Sequence, residues 1–91
     1  MRARRVVIAG RVQGIGYRDW MVREAQRLGV QGWVRNRRDG TVEALVAGEE
    51  AAVQALLSAC RLGPPLAAVS EITEDFADPP AEPGFVRLPN G

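Results

Sequence analysis

The hexapeptide Gln13-Gly14-Ile15-Gly16-Tyr17-Arg18 is the first stretch of the chain whose residue types suggest chemistry. Gly14 and Gly16 permit turns that aim successive backbone N–H groups at one point, a nest for an anion. Arg18, where the loop gives way to a helical pattern, offers a planar fork matched to phosphate oxygens. The helix start adds free donors and the positive end of its dipole. On its own, a Gly-x-Gly stretch between strand and helix is more often a plain tight connection. The second such residue is Asn36, closing Gly32-Trp33-Val34-Arg35-Asn36. A neutral amide both donates to and accepts from water, so it positions a molecule without titrating. The simpler role for such an Asn is a hydrogen bond within the turn that follows it.

The residues that are missing narrow the chemistry. The chain has no His, and all twelve basic residues are Arg. That excludes the Ser-His-Asp triad, Cys-His pairs, histidine zinc sites, Schiff-base lysines and the P-loop lysine. Cys60 is the single cysteine, too few for a thiolate metal site or an internal disulfide, and a reducing cytoplasm is its natural setting. An enzyme built from this chain works with Arg, carboxylates, amides, hydroxyls and backbone N–H groups. The formal charge of +1 hides an asymmetry, with ten Arg against three acids in residues 1–40 and two Arg against eight acids in residues 41–91. A basic half points to an anionic partner if its arginines converge, and to ordinary solvated faces if they do not.

Ninety-one residues allow one domain, spanning 1–91, with enough core to fold without metal or disulfide support. No apolar run is long enough to cross a bilayer, and the arginine-led start lacks the core of a signal peptide. Arg4–Gly10 is a β-branched run ended by glycine and reads as a strand. From Arg18 or Asp19 the pattern turns helical. Met21, Val22, Ala25 and Leu28 share a face, and Gly29 supplies the stop. Gly32–Asn36 and Thr41–Ala47 are strands joined through Arg37-Arg38-Asp39-Gly40, a hairpin connection. Glu49–Arg61 is a second helix with Val53, Leu56, Leu57 and Cys60 as its apolar stripe. Val69–Phe76 alternates as a fourth strand, and Phe85–Leu88 can add a short terminal one.

This order predicts an α+β fold, a ferredoxin-like βαββαβ sandwich. Its antiparallel sheet has the order 4-1-3-2, with both helices on one face. Strands one and two then run parallel with strand three between them, so the Gly-bearing loop and Asn36 open onto one edge of the sheet. They lie roughly 10 Å apart before side chains close the gap. Arg11, Arg18, Arg37 and Arg38 are expected along that edge. Trp20, Met21 and Trp33 read as core, and Cys60 as a small buried hydrophobe.

The segment Gly10-Arg11-Val12-Gln13-Gly14-Ile15-Gly16-Tyr17-Arg18 resembles the signature loop of the acylphosphatase family. Gly32-Trp33-Val34-Arg35-Asn36, followed by Asp39-Gly40-Thr41-Val42-Glu43, resembles that family's second signature. The resemblance runs over about the whole chain, to Phe85-Val86-Arg87, with Tyr17 where the family more often has Phe. It implies hydrolysis of small-molecule acyl phosphates to a carboxylate and inorganic phosphate, with no metal or organic cofactor. By position, Arg18 and the backbone amides of Gln13, Gly14, Ile15, Gly16, Tyr17 and Arg18 would bind the phosphoryl group, and Asn36 would orient the attacking water. Inorganic phosphate or sulfate is then the expected competitive ligand, and a monomer without membrane or nucleic-acid partners the expected form.

The chemistry suits the missing residues. A carboxylate leaving group, with a conjugate acid of pKa about 4 to 5, needs no general acid. Attack at phosphorus through a loose transition state needs charge stabilisation and alignment. A substrate phosphate oxygen is expected to take the water's proton rather than a carboxylate such as Asp39. The principal alternative is a non-catalytic RNA- or anion-binding module of the same topology, against which stands the lack of stacking aromatics in the first and third strands. The other is a carbamoyl-phosphate-specific domain of a larger assembly, which fits less well with a chain ending soon after the fold closes.

Overall fold

The computed structural model describes residues 3–91. The elements follow in the order β1 (Ala3–Arg11), α1 (Tyr17–Leu28), β2 (Gln31–Asn36), β3 (Val42–Ala47), α2 (Glu50–Leu62), β4 (Ala68–Ala77) and β5 (Phe85–Arg87). The sheet order is β4-β1-β3-β2-β5. Its first four members have the expected ferredoxin-like arrangement, each paired antiparallel to its neighbour. The fifth changes the description from antiparallel to mixed, because β5 lies parallel to β2, with Gly32 opposite Phe85 and Val34 opposite Arg87.

The core forms where strand alternation meets helical periodicity. Val6 and Ile8 of β1, Val42, Ala44 and Val46 of β3, and Val34 of β2 are buried with Met21 and Ala25 of α1 and Val53, Leu56, Leu57 and Cys60 of α2. Period-two side chains on the strands and three- to four-residue spacing on the helices thus meet in one layer. The opposite sheet face carries Glu43, buried between Arg5 Nε at 2.5 Å and Arg35 Nε at 2.7 Å. Burial opposes ionisation of Glu43, but hydrogen bonds and charge from both guanidiniums outweigh it and keep the carboxyl below its ordinary pKa. Trp33 lies on this face, not in the main core, with the Arg35 guanidinium 5.4 Å from its ring centroid.

Tyr17 joins the two helices for a reason legible in the chain. The helical partner for the Cys60 carbonyl would be the N–H of residue 64, but that residue is Pro64 and has none. The Tyr17 hydroxyl donates to this carbonyl at 2.6 Å. Its ring meets Trp20 edge-on at 5.3 Å between centroids. Burial raises the phenol's pKa far above its ordinary value and pushes the Cys60 thiol up to about 12, so both stay protonated at neutral pH. Tyr17→Phe leaves a buried carbonyl without a donor, and should destabilise the protein by about 1–3 kcal/mol in urea or thermal unfolding. An unchanged stability would show that water satisfies the carbonyl as well.

The parallel β5 decides what reaches the end of the sheet where β1 and β2 terminate. β4 ends beside the start of β1, with Ala77 opposite Ala3, and β5 begins beside the start of β2. Residues 78–84 therefore cross at the far end of the sheet. The chain then runs back along β2, with the Gly32 N–H donating to Gly84 O at 2.9 Å and the Leu88 N–H to Val34 O at 2.8 Å. Arg87 and the residues after it arrive beside Asn36.

Candidate active site

A cleft of about 220 Å³ opens at that end, lined by Val12, Gly14, Gly16, Tyr17, Arg18, Asp19, Asn36 and Arg87. Both sequence features meet in it. Gly14 and Gly16 have φ of 74° and 79°, in the left-handed region. There a side chain costs about 1–2 kcal/mol, and here backbone conformation alone requires glycine, since a Cβ at either position would meet nothing within 4 Å. Gly16 is also the N-cap of α1 and makes no side-chain cap. The consequence is chemical. Among the described residues, none accepts a hydrogen bond from the backbone N–H of Gln13, Gly14, Ile15, Gly16, Tyr17 or Arg18. Six donors in sequence, ending on a helix N-terminus, are thus left to solvent or to a ligand.

The loop is fastened by a side chain whose part the sequence reading missed. Gln13 Nε2 donates to Arg37 O at 2.8 Å and to Thr41 O at 2.9 Å, across the mouth of the β2–β3 hairpin. The two signature segments are thus tied to each other directly. The hairpin keeps its own shape: Asp39 Oδ1 accepts from Thr41 N at 3.0 Å and from Thr41 Oγ1 at 2.6 Å. Those bonds hold the Asp39 carboxyl below its ordinary pKa. Asp39 lies outside the cleft, in a separate depression with Arg35, Arg37, Arg38 and Gly91.

Asn36 is 8% exposed, and its Oδ1 is a buried atom with no hydrogen-bond partner in the protein. It makes no bond within the turn. An acceptor left unsatisfied in this way costs about 1–3 kcal/mol unless something donates to it. The residue lines the same cleft as Arg18.

The expected line of four arginines does not form. Arg18 lines the cleft, whereas Arg37 and Arg38 face the other depression and Arg11 lines neither. The second cation is Arg87, carried in by β5, whose Nη1 sits 2.7 Å from Asp19 Oδ1. That hydrogen bond and charge lower the Asp19 pKa, making it a weak base. Burial, and then the charge of Arg87, lower the pKa of Arg18, but a guanidinium stays cationic at neutral pH. Part of the remaining basic half is paired with the acidic half on folding, Arg4 with Glu50 and Glu74, and Arg5 and Arg35 with Glu43. No group of three or more His, Cys, Asp or Glu side chains among the described residues is placed to hold a metal ion. No helix among them is long and apolar enough to cross a membrane.

The fold is an α+β sandwich with unpaired loop amides, a guanidinium and a carboxamide around one small cleft. The acylphosphatase family model matches residues 4–86, and the chain belongs to that family. It is 63% identical to an acylphosphatase of Acidiphilium cryptum over 91 residues, covering all of both chains. With an acylphosphatase of Rhodospirillum rubrum it shares 52% identity over 90 residues, 99% of each. The crystal structure of acylphosphatase from Bacillus subtilis superposes with a TM-score of 0.90 at 35% identity, over 97% of this chain and 99% of that one. The protein is thus an acylphosphatase, a hydrolase of small acyl phosphates.

Gln13→Ala removes the double anchor of the loop. Displacements near 1 Å cost about a hundredfold in rate where positioning dominates. We therefore expect kcat/KM for benzoyl phosphate to fall about 10- to 100-fold. An unchanged kcat/KM would mean that the glycines alone hold the loop.

Proposed function

We propose that the cleft hydrolyses acyl phosphates with the backbone amides of residues 13–18 and the Arg18 guanidinium holding the phosphoryl group, while Asn36 aims the attacking water at phosphorus. The observation that carries this reading is that Asn36, whose carboxamide oxygen has no partner within the protein, lines the same cleft as Gly14, Gly16 and Arg18. An oxygen acceptor takes a proton of the water in a hydrogen bond, which turns the water's lone pair away from Asn36 and toward the bound group. The amides and the guanidinium stabilise charge on the equatorial oxygens, where a loose transition state develops it. The P–O bond to the acyl group breaks and leaves a carboxylate, a weak base that departs without an acid.

The water's proton goes to a phosphate oxygen. Asp19, the carboxylate lining the cleft, is held by Arg87 with its pKa below the ordinary value, and Asp39 is committed to the hairpin turn. Every group in this scheme comes from one copy of residues 3–91. This favours a single domain acting as a monomer, with no metal or organic cofactor. The buried Cys60, its thiol fully protonated at neutral pH, fits a cytoplasmic setting.

The division of labour is open to direct test. Arg18→Ala should lower kcat/KM by about 10³-fold or more, with much weaker phosphate binding. Asn36→Ala should lower kcat by about 10²- to 10³-fold while the inhibition constant for phosphate changes less than about threefold. Equal losses of phosphate affinity in the two variants would contradict it. Sulfate and inorganic phosphate should inhibit competitively with acyl phosphate, with chelator present throughout. Noncompetitive inhibition would place the anion site elsewhere.

A further inference from the structure

Arg18 has an unusual set of neighbours for a half-buried arginine. Among the described residues no carboxylate lies within ion-pair distance of it, since the adjacent Asp19 is taken by Arg87 at 2.7 Å. Its one side-chain hydrogen bond runs from Nη1 to Oδ1 of Asn90, at 3.1 Å. The segment bearing Asn90 is itself pinned on either side. The Leu88 N–H donates to Val34 O at 2.8 Å, and the Gly91 N–H to Asn36 O at 2.9 Å. The stretch 88–91 therefore touches the main chain of the residue that orients water and the side chain of the residue that grips phosphate.

We propose that Asn90 is a positioning residue for the acylphosphatase reaction, holding the Arg18 guanidinium in its phosphate-binding orientation before substrate arrives. This rests on the reading of Arg18 as the phosphate ligand. The acceptor's chemistry suits the role. A carboxylate at this place would hold the guanidinium equally well but would cancel the charge that the phosphoryl group must meet. A carboxamide oxygen takes one of the five N–H donors and leaves the charge and the other four for the anion. Arg carries much rotamer freedom, and fixing it in advance removes an ordering cost from the binding step. Arg87 already has Asp19 as its counter-ion, so the two guanidiniums of the cleft are held by different means: one neutralised, one oriented but left charged.

The test is a double-mutant cycle in the full chain, read by acetyl phosphate hydrolysis and by inhibition with inorganic phosphate. Asn90→Ala should raise KM and the phosphate inhibition constant together, by about three- to tenfold, with a smaller loss in kcat. In an Arg18→Ala background the same change should have no further effect on kcat/KM, because the residue it acts through is gone. A loss of equal size in both backgrounds would show that the segment acts by another route, such as its bond to Asn36, and would overturn the proposal. So would an Asn90→Ala variant with wild-type KM and phosphate inhibition. If Arg18→Ala itself left KM and phosphate inhibition unchanged, the failure would lie in the reading of Arg18, and Asn90 would have nothing to position.

Discussion

The structure turns on six consecutive backbone N–H groups that the protein leaves unpaired. Buried main-chain donors are nearly always paired, and the largely solvent-accessible ones of this loop are left for water or a ligand to take. Here the run is imposed by conformation. Two glycines in the left-handed region break the strand after β1, and α1 begins immediately, where its first amides have no intrahelical acceptor. The ligand that best suits such a row has several oxygens on one centre and negative charge. A phosphoryl group meets both requirements, which is the basis of the role proposed for the loop.

Around this row, the fold supplies alignment more than reactive groups. The antiparallel β1-β3-β2 order brings the loop after β1 and the end of β2 to the same edge. The Gln13 side chain then locks the loop to the hairpin. Charge is managed in the same spirit. Carboxylates of the acidic second half pair with Arg4, Arg5 and Arg35 of the basic first half, whereas Arg18 forms no direct ion pair among the described residues. For a substrate whose leaving group departs unaided, a charged, aligned cavity is sufficient chemistry, and the lack of His and Lys is no handicap.

Much of this was legible in the sequence because the informative signals are local. Alternation in Val6 and Ile8, helical spacing in Met21 and Ala25, and the glycines at 14 and 16 each report a backbone state within a few residues. Their order was enough to give the first four strands and the shared edge. What stayed hidden depends on long-range pairing. Nothing within Phe85-Val86-Arg87 says that it lies parallel to β2, so neither Arg87 in the cleft nor Asn90 against Arg18 could be assigned. The same limit explains the arginines at 37 and 38. Strand topology put them at the correct edge, but the hairpin turn aims them into a neighbouring depression. Gln13 was read only for its amide, since the partners of its side chain lie 24 and 28 residues away.

The most direct measurement is a titration of the ¹⁵N-labelled protein with inorganic phosphate, following every backbone amide by NMR. Saturable downfield shifts concentrated in residues 13–18 are expected, with the Asn36 side-chain amide perturbed at the same concentrations. Shifts centred on Arg37 and Arg38, or a loop indifferent to saturating phosphate, would contradict it.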